Sequence, residues 1–203
     1  MAIDKQTVFI VDDDVAVRGA LQLLMKSVGH ESKTFASGDE FLDACRPGLS
    51  GCLILDIRMP GMSGLELQQK LRQQGVNIPI IFITGHGDVP MAVQAMKHGA
   101  LEFLQKPFRE QELIDRVNEA LVKDESANMS ALQRTEIEPR VEKLTARERQ
   151  IMDMIVQGKA NKVIAIDLGV SQRTVETHRT RIMKKMQARS LAELVQMAMR
   201  LQE

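Results

Sequence analysis

The 203-residue sequence contains no tryptophan and no tyrosine, and only six phenylalanines. Its two cysteines, Cys45 and Cys52, have no metal-ligand spacing to a histidine. This argues against a disulfide framework or a Cys/His zinc site as the organising feature and leaves both as small packed thiols. No apolar run approaches the roughly 18 residues needed to span a bilayer, and nothing at the N-terminus has a signal-peptide pattern. The expected setting is cytoplasmic, with no membrane partner. Internal repeats and low-complexity tracts are also missing. Net charge is absent overall, because 27 Lys and Arg balance 27 Asp and Glu. The balance is uneven, however: residues 1–123 carry −3, residues 124–142 another −3, and residues 143–203 carry +6. An acidic front joined to a basic tail points to a metal- or signal-handling domain followed by one that binds nucleic acid.

What is present is organised around Cys52-Leu53-Ile54-Leu55-Asp56-Ile57-Arg58-Met59-Pro60-Gly61. A short apolar run stopped by turn residues reads as a buried central strand of a parallel sheet. Asp56 then lies at the strand's carboxyl end, where open α/β sheets place their ligands. Val8-Phe9-Ile10-Val11 is a second such run and ends in Asp12-Asp13-Asp14. Helical spacing follows from Val15 to Gly29, with Val17, Leu21, Leu24, Met25 and Val28 as the apolar positions. A short strand near Lys33-Thr34-Phe35 and a helix from Ser37 to Cys45 precede the Asp56 strand. Beyond it come a helix from Gly64 to Gln74, a buried strand from Pro79 to Ile83 ending at Thr84, and a helix from Val89 to His98. A strand at Glu102-Phe103-Leu104 then leads to Lys106-Pro107-Phe108, and a helix spans Glu110 to Lys123. Five strands alternating with five helices predict an α/β doubly wound five-stranded parallel sheet. His86 and His98 match no ligand spacing and read as surface residues.

This order delivers Asp12, Asp13, Asp56, Thr84 and Lys106 to one sheet edge. Clustered carboxylates suit a hard cation such as Mg²⁺, which takes oxygen ligands and keeps water. A carboxylate held beside it acts as a nucleophile toward a phosphoryl group. Lys106 neutralises the phosphoryl oxygens and the Thr84 hydroxyl donates to one of them.

On Val11-Asp12-Asp13, Asp56-Ile57-Arg58-Met59-Pro60-Gly61-Met62-Ser63-Gly64, Thr84-Gly85-His86-Gly87-Asp88 and Lys106-Pro107-Phe108, residues 6–122 resemble the flavodoxin-like receiver domain of bacterial two-component response regulators. The resemblance implies that Asp56 accepts a phosphoryl group from a sensor histidine kinase. It also implies Mg²⁺ on Asp13, Asp56 and the Arg58 backbone carbonyl, with Asp12 supporting through water. Asp14 is read as a turn or cap residue. Thr84 and Phe103 are the implied switch pair, Phe103 rotating as Thr84 moves; a phenylalanine there has no phenol to report the state. A cis Lys106–Pro107 peptide is implied as well.

Residues 124–142 are polar and acidic, and read as a linker. A flexible coil of about 20 residues spans roughly 25 Å, although part of Met129 to Ile137 also suits a helix. In residues 143–203, Thr145 and Glu148 form a capping box opening a helix that runs to Gly158. A second helix runs from Asn161 to Leu168, a third from the Ser171 cap to Met186, and a fourth from the Ser190 cap to Leu201. This is a small all-α four-helix domain with a helix-turn-helix, whose third helix enters a DNA major groove. Val175, Ile182 and Met186 form its inward stripe, with His178 at the edge. Thr177 and Thr180 can meet base edges, and Glu176 can accept from cytosine N4. Lys162, Arg173, Arg179, Arg181, Lys184 and Lys185 suit phosphates.

On Leu144-Thr145-Ala146-Arg147-Glu148, Asn161-Lys162-Val163-Ile164-Ala165, Arg173-Thr174-Val175-Glu176-Thr177-His178 and Ser190-Leu191-Ala192-Glu193-Leu194, this segment resembles a LuxR-type output domain, and Thr174 joins the DNA-facing set. With Thr84 to Val93 it is similar to the FixJ branch of the NarL/FixJ regulators. The resemblance implies promoter DNA and RNA polymerase as partners, and a homodimer formed on phosphorylation. The dimer would use the fourth helix on DNA and, in the receiver, the Met91-Val93-Met96 helix with the Phe103 strand. The expected function is a transcription factor switched by phosphorylation, not a multiple-turnover enzyme. One alternative is an Asp-nucleophile phosphatase of the haloacid dehalogenase type, which wants a second acid where Arg58 stands. Another is an interaction module with vestigial DNA binding.

Overall fold

A computed structural model describes residues 6–46, 48–85 and 89–201. The apolar runs form β1 (Thr7–Val11), β2 (Ser32–Phe35), β3 (Gly51–Asp56), β4 (Ile80–Thr84) and β5 (Glu102–Gln105). All pair in parallel, in the order β2-β1-β3-β4-β5. Between and after them run α1 (Val15–Ser27), α2 (Gly38–Ala44), α3 (Gly64–Gln73), α4 (Val89–Lys97) and α5 (Glu110–Glu142). The predicted sheet is the one that forms.

Alternation along the strands assigns each face its core. Val8, Ile10, Cys52, Ile54, Ile81 and Ile83 pack with Leu21 and Met25 of α1 and Leu113, Val117 and Ala120 of α5. Phe9, Val11, Leu53, Leu55 and Phe82 face Phe41 of α2, Leu67 and Leu71 of α3 and Ala95 of α4. Cys45 and Cys52 are both free thiols, the latter buried. His98, read as a surface residue from the sequence, is half-buried, and its Nδ1 is enclosed with no hydrogen-bond partner among the described residues. His86, given the same reading, lies outside the described residues.

The chain divides into two compact units, meeting in sequence at Asn128 and Met129. The second holds the last turns of α5 together with α6 (Ala146–Val156), α7 (Asn161–Leu168), α8 (Gln172–Met186) and α9 (Leu191–Arg200). Its core joins Ile137 and Leu144 to Ile151, Ile164, Val175, Ile182, Met186 and Leu194.

Residues 124–142, read from the sequence as a linker of open conformation with part of Met129 to Ile137 suited to helix, are helical, since α5 continues to Glu142. The segment has no glycine, its Ala, Glu, Gln, Arg and Leu residues favour helix, and Arg134 pairs with Glu138 one turn on at 2.9 Å. Pro139 removes one backbone donor, but burial of Ile137 in the second core holds the turn beside it.

The first unit also reaches further than residue 123. Asp124 is buried, and its Oδ2 accepts from Ser50 Oγ at 2.7 Å, Gly51 N at 2.9 Å and Asn128 Nδ2 at 2.9 Å. These bonds tie α5 to the first residue of β3. Gly51 there has φ +135°, and a Cβ on it would overlap the Thr7 carbonyl, so no side chain can take over the role of Asp124 from that position. Asp124→Ala should leave the Gly51 N–H and the Ser50 hydroxyl proton without their acceptor and lower the free energy of local opening at β3 by about 2 kcal/mol. Native-state hydrogen exchange at the β3 amides measures that loss.

Candidate functional site: an acidic pocket at the strand ends and a basic recognition helix

The strand order reverses between β1 and β3, and Asp12 and Asp56 lie where those two strands end. Such a switch point leaves a crevice outside the carboxyl ends of the strands. Asp12 is 1% exposed and Asp56 6%. Lys106, one residue beyond β5, lies between them, with Nζ 2.8 Å from Asp12 Oδ2 and 3.2 Å from Asp56 Oδ1. Asp56 Oδ2 accepts from Arg58 N at 2.7 Å. Asp12 Oδ1 accepts from Asp14 N at 2.9 Å. Thr84 is also buried, and its carbonyl accepts from Lys106 N at 2.8 Å, so the ends of β4 and β5 are locked together.

The loop after Asp56 is held as closely. Ser63 and Glu66 form a full capping box for α3, and a Cβ on Gly64 would overlap the Asp56 carbonyl oxygen. Only a glycine lets α3 begin this near the main chain of Asp56.

Burial pushes the Asp56 carboxyl above the ordinary aspartate range; Lys106 opposes the shift and the charge of Asp12 adds to it. Burial also works against the Lys106 charge, but the hydrogen bond and charge of Asp12, then those of Asp56, hold the ammonium above the usual lysine value. Lys106 lies closer to Asp12 than to Asp56.

The pocket therefore gathers Asp12, Asp56, Thr84 and Lys106. Asp13 is exposed, and among the described residues no three His, Cys, Asp or Glu side chains converge closely enough to hold a metal ion. Asp14 is the α1 cap, its Oδ1 accepting from Ala16 N at 2.8 Å. Phe103 is half-buried against the α2–α4 side core. The Lys106–Pro107 peptide is cis. Arg58 is exposed, where the phosphatase alternative requires an acid. Sequence reasoning missed Arg18, whose Nη1 donates to the Asp12 carbonyl at 2.6 Å. A cation on the first turns of α1, facing back to the strand end, was the available signal.

In the second unit, α7 ends at Gly169 in the left-handed region, φ 64°, and Ser171 caps α8. Arg147 Nη2 braces the turn through the Leu168 carbonyl at 2.8 Å. Lys162, Arg173, Glu176, Thr177, Thr180, Arg181 and Lys184 are exposed. Thr177 and Thr180 hydroxyls donate back to the Arg173 and Glu176 carbonyls. Thr174 is half-buried, its hydroxyl against Ser171 Oγ at 2.8 Å.

Two cations assigned to phosphates have internal partners. Arg179 donates to Asn161 Oδ1 at 2.9 Å. Lys185 pairs with the buried Glu148 at 2.6 Å. His178 is half-buried with Nδ1 enclosed, which favours packing.

Comparison with known proteins joins the two halves. The response regulator receiver domain matches residues 8–118, and the domain of bacterial regulatory proteins of the luxR family matches residues 142–198. The chain belongs to the two-component response regulators of the NarL/FixJ family, with a receiver and a LuxR-type DNA-binding domain. It is 45% identical to Nodulation protein W of Bradyrhizobium diazoefficiens, covering 96% of this chain and 86% of that protein. It is likewise 45% identical to the transcriptional regulatory protein FixJ of the same organism, covering 97% and 96%. The solved structure of the response regulator StyR, 47% identical, superposes with a TM-score of 0.77 over 96% of this chain and 98% of that one. Among the described residues no helix is long and apolar enough to cross a membrane.

Glu148 gives the second unit a pH dependence. The hydrogen bond from Lys185, followed by that from the Thr145 backbone, holds its carboxyl down at about 2, against an ordinary value of 4.5. A depressed folded-state value stabilises the unit fully above pH 4.5, and the contribution is lost as pH falls through about 2. Acid titration followed by circular dichroism should show that loss, and Glu148→Gln should flatten it.

Proposed function

We propose that Asp56 is the phosphoacceptor of this response regulator and that its phosphorylation switches DNA binding by the second unit. The observation that carries the reading is the Lys106 ammonium between the Asp12 and Asp56 carboxylates at the strand ends. A carboxylate oxygen of Asp56 attacks the phosphorus of a kinase phosphohistidine; the new P–O bond forms as the P–N bond breaks and the imidazole leaves. Lys106 neutralises charge on the equatorial oxygens and the Thr84 hydroxyl donates to one of them. Arg58 N–H holds the second Asp56 oxygen, which fixes the carboxylate plane for attack.

Asp12 and Asp56 are buried and Asp13 is exposed at this end of the sheet, and their hard oxygens are the donor type that Mg²⁺ takes with retained waters. Asp13, Asp56 and the Arg58 carbonyl would hold it, with Asp12 through water. Bound there, Mg²⁺ supplies further neutralisation of phosphoryl charge. The chain thus assists its own phosphoryl uptake and loss and turns over no other substrate.

Phosphorylation adds about 1.5–2 negative charges, and Thr84 and Phe103 transmit the change toward α4 and β5. Val93 and Met96 of α4 are about half exposed, at 46% and 45%, which suits a receiver homodimer formed on phosphorylation. In the DNA complex, Thr177, Thr180 and Glu176 meet bases, while Lys162, Arg173, Arg181 and Lys184 meet phosphates. Arg179, Lys185 and Thr174 serve mainly to hold α8 in place. Promoter DNA, a sensor histidine kinase and RNA polymerase are the proposed partners, and the cytoplasm the proposed compartment.

Asp56→Asn should abolish phosphoryl uptake from acetyl phosphate and, with it, phosphate-enhanced binding to promoter DNA. Intact-mass spectrometry paired with gel-shift titration measures both. Uptake by the variant at the wild-type rate would place the acceptor elsewhere.

A further inference from the structure

Most buried polar side chains of the first unit belong to the acidic pocket or to the tie between β3 and α5. Gln68 of α3 belongs to neither, although it is only 3% exposed. An amide buried among apolar helices is costly unless it is hydrogen-bonded. Gln68 meets that cost by half. Its Nε2 donates to the carbonyls of Ala95 and His98, each at 3.2 Å, while its Oε1 is enclosed with no hydrogen-bond partner among the described residues. Both bonds go to one object, the carboxyl-terminal end of α4.

The apolar hold on α4 is slight. Ala95 is its one fully buried residue among those described, and Met91 packs half-buried against the same core. Val93 and Met96 are turned outward. Two carbonyls three residues apart, bonded to one nitrogen that is fixed on α3, restrain the helix both along its axis and about it. The same carbonyls have second donors: Ala100 N–H bonds the Ala95 carbonyl at 3.0 Å, and Arg72 Nη1 the His98 carbonyl at 3.3 Å. Loss of the Gln68 amide therefore leaves neither carbonyl unpaired. What it removes is orientation more than stability.

We propose that Gln68 is a positioning residue for the receiver's dimer surface: by holding the carboxyl-terminal end of α4 it sets the direction in which Val93 and Met96 meet a second copy of this chain. The inference rests on the reading that these residues form a homodimer when Asp56 is phosphorylated.

Sedimentation velocity of the full chain treated with acetyl phosphate and MgCl₂ tests it, with intact mass reporting phosphoryl uptake and hydrogen exchange reporting residues 98–101. Gln68→Met conserves volume and should change the melting midpoint little. It should take up phosphate as the wild type does, yet dimerise about tenfold more weakly, with amides 98–101 exchanging about tenfold faster. A purely structural residue would instead lower the melting midpoint and leave dimerisation below that temperature untouched.

The proposal is overturned if Gln68→Met dimerises as tightly as the wild type, or if its weakening is matched by an equal loss of phosphoryl uptake. Should that variant fail to fold, Arg72→Met, which strips the exposed second donor from the His98 carbonyl, decides: undiminished dimerisation overturns the proposal. A phosphorylated wild type that stays monomeric, or a Val93→Asp variant that dimerises undiminished, overturns the dimer reading itself and this proposal with it.

Discussion

Two carboxylates buried at adjacent strand ends repel one another, and burial of either is costly without a compensating cation or donors. Lys106 makes the arrangement tenable, sharing one ammonium between Asp12 and Asp56 at 2.8 and 3.2 Å. The sheet order explains how one side chain serves both. With β1 beside β3, and β4 between β3 and β5, a lysine just past β5 reaches across the end of β4, where Thr84 lies. The lock between the Thr84 carbonyl and Lys106 N–H sets the starting point of that reach. Compensation is incomplete, which leaves Asp56 with a raised carboxyl pKa and a chemically distinct place in the pocket.

The second unit uses a similar device for a different end. Lys185 and the Thr145 backbone and hydroxyl satisfy the buried Glu148, fastening the start of α6 to α8. Arg179 joins α8 to Asn161 at the start of α7, and Arg147 braces the turn between them. Part of the basic charge on the recognition helix therefore maintains its seating, and the exposed remainder, Arg173, Arg181 and Lys184, is left to face a polyanion. The net positive charge of residues 143–203 accords with a LuxR-type DNA-binding domain, and part of it is engaged in internal pairs.

Much of the fold was legible because its signals are local. Strand runs ending in Asp12, Asp56 and Thr84, the Thr145–Glu148 and Ser171 caps, and Gly169 at the turn each depend on a few consecutive residues. What was missed depends on contacts far apart in sequence. Asp124 read as linker because its partners, Ser50 and Gly51, lie more than 70 residues away. The conformation of residues 124–142 stayed open in the sequence because the helix there is held by Ile137 in a core supplied by later residues. The pairing of Lys185, which the sequence assigns to phosphates, with Glu148 was likewise hidden, since nothing near it in sequence announces that partner. The acids read together from the sequence differ in their settings: Asp12 and Asp56 are buried beside Lys106, whereas Asp13 is exposed.

The central claim is that phosphoryl chemistry falls on one oxygen-bearing side chain at the end of β3. Borohydride reduction of acetyl phosphate-treated protein converts an aspartyl phosphate to homoserine, and peptide mass mapping then locates it. The account predicts homoserine at position 56 and at no other position. Homoserine at Asp12 or Asp13, or none despite phosphate uptake by the chain, would contradict it.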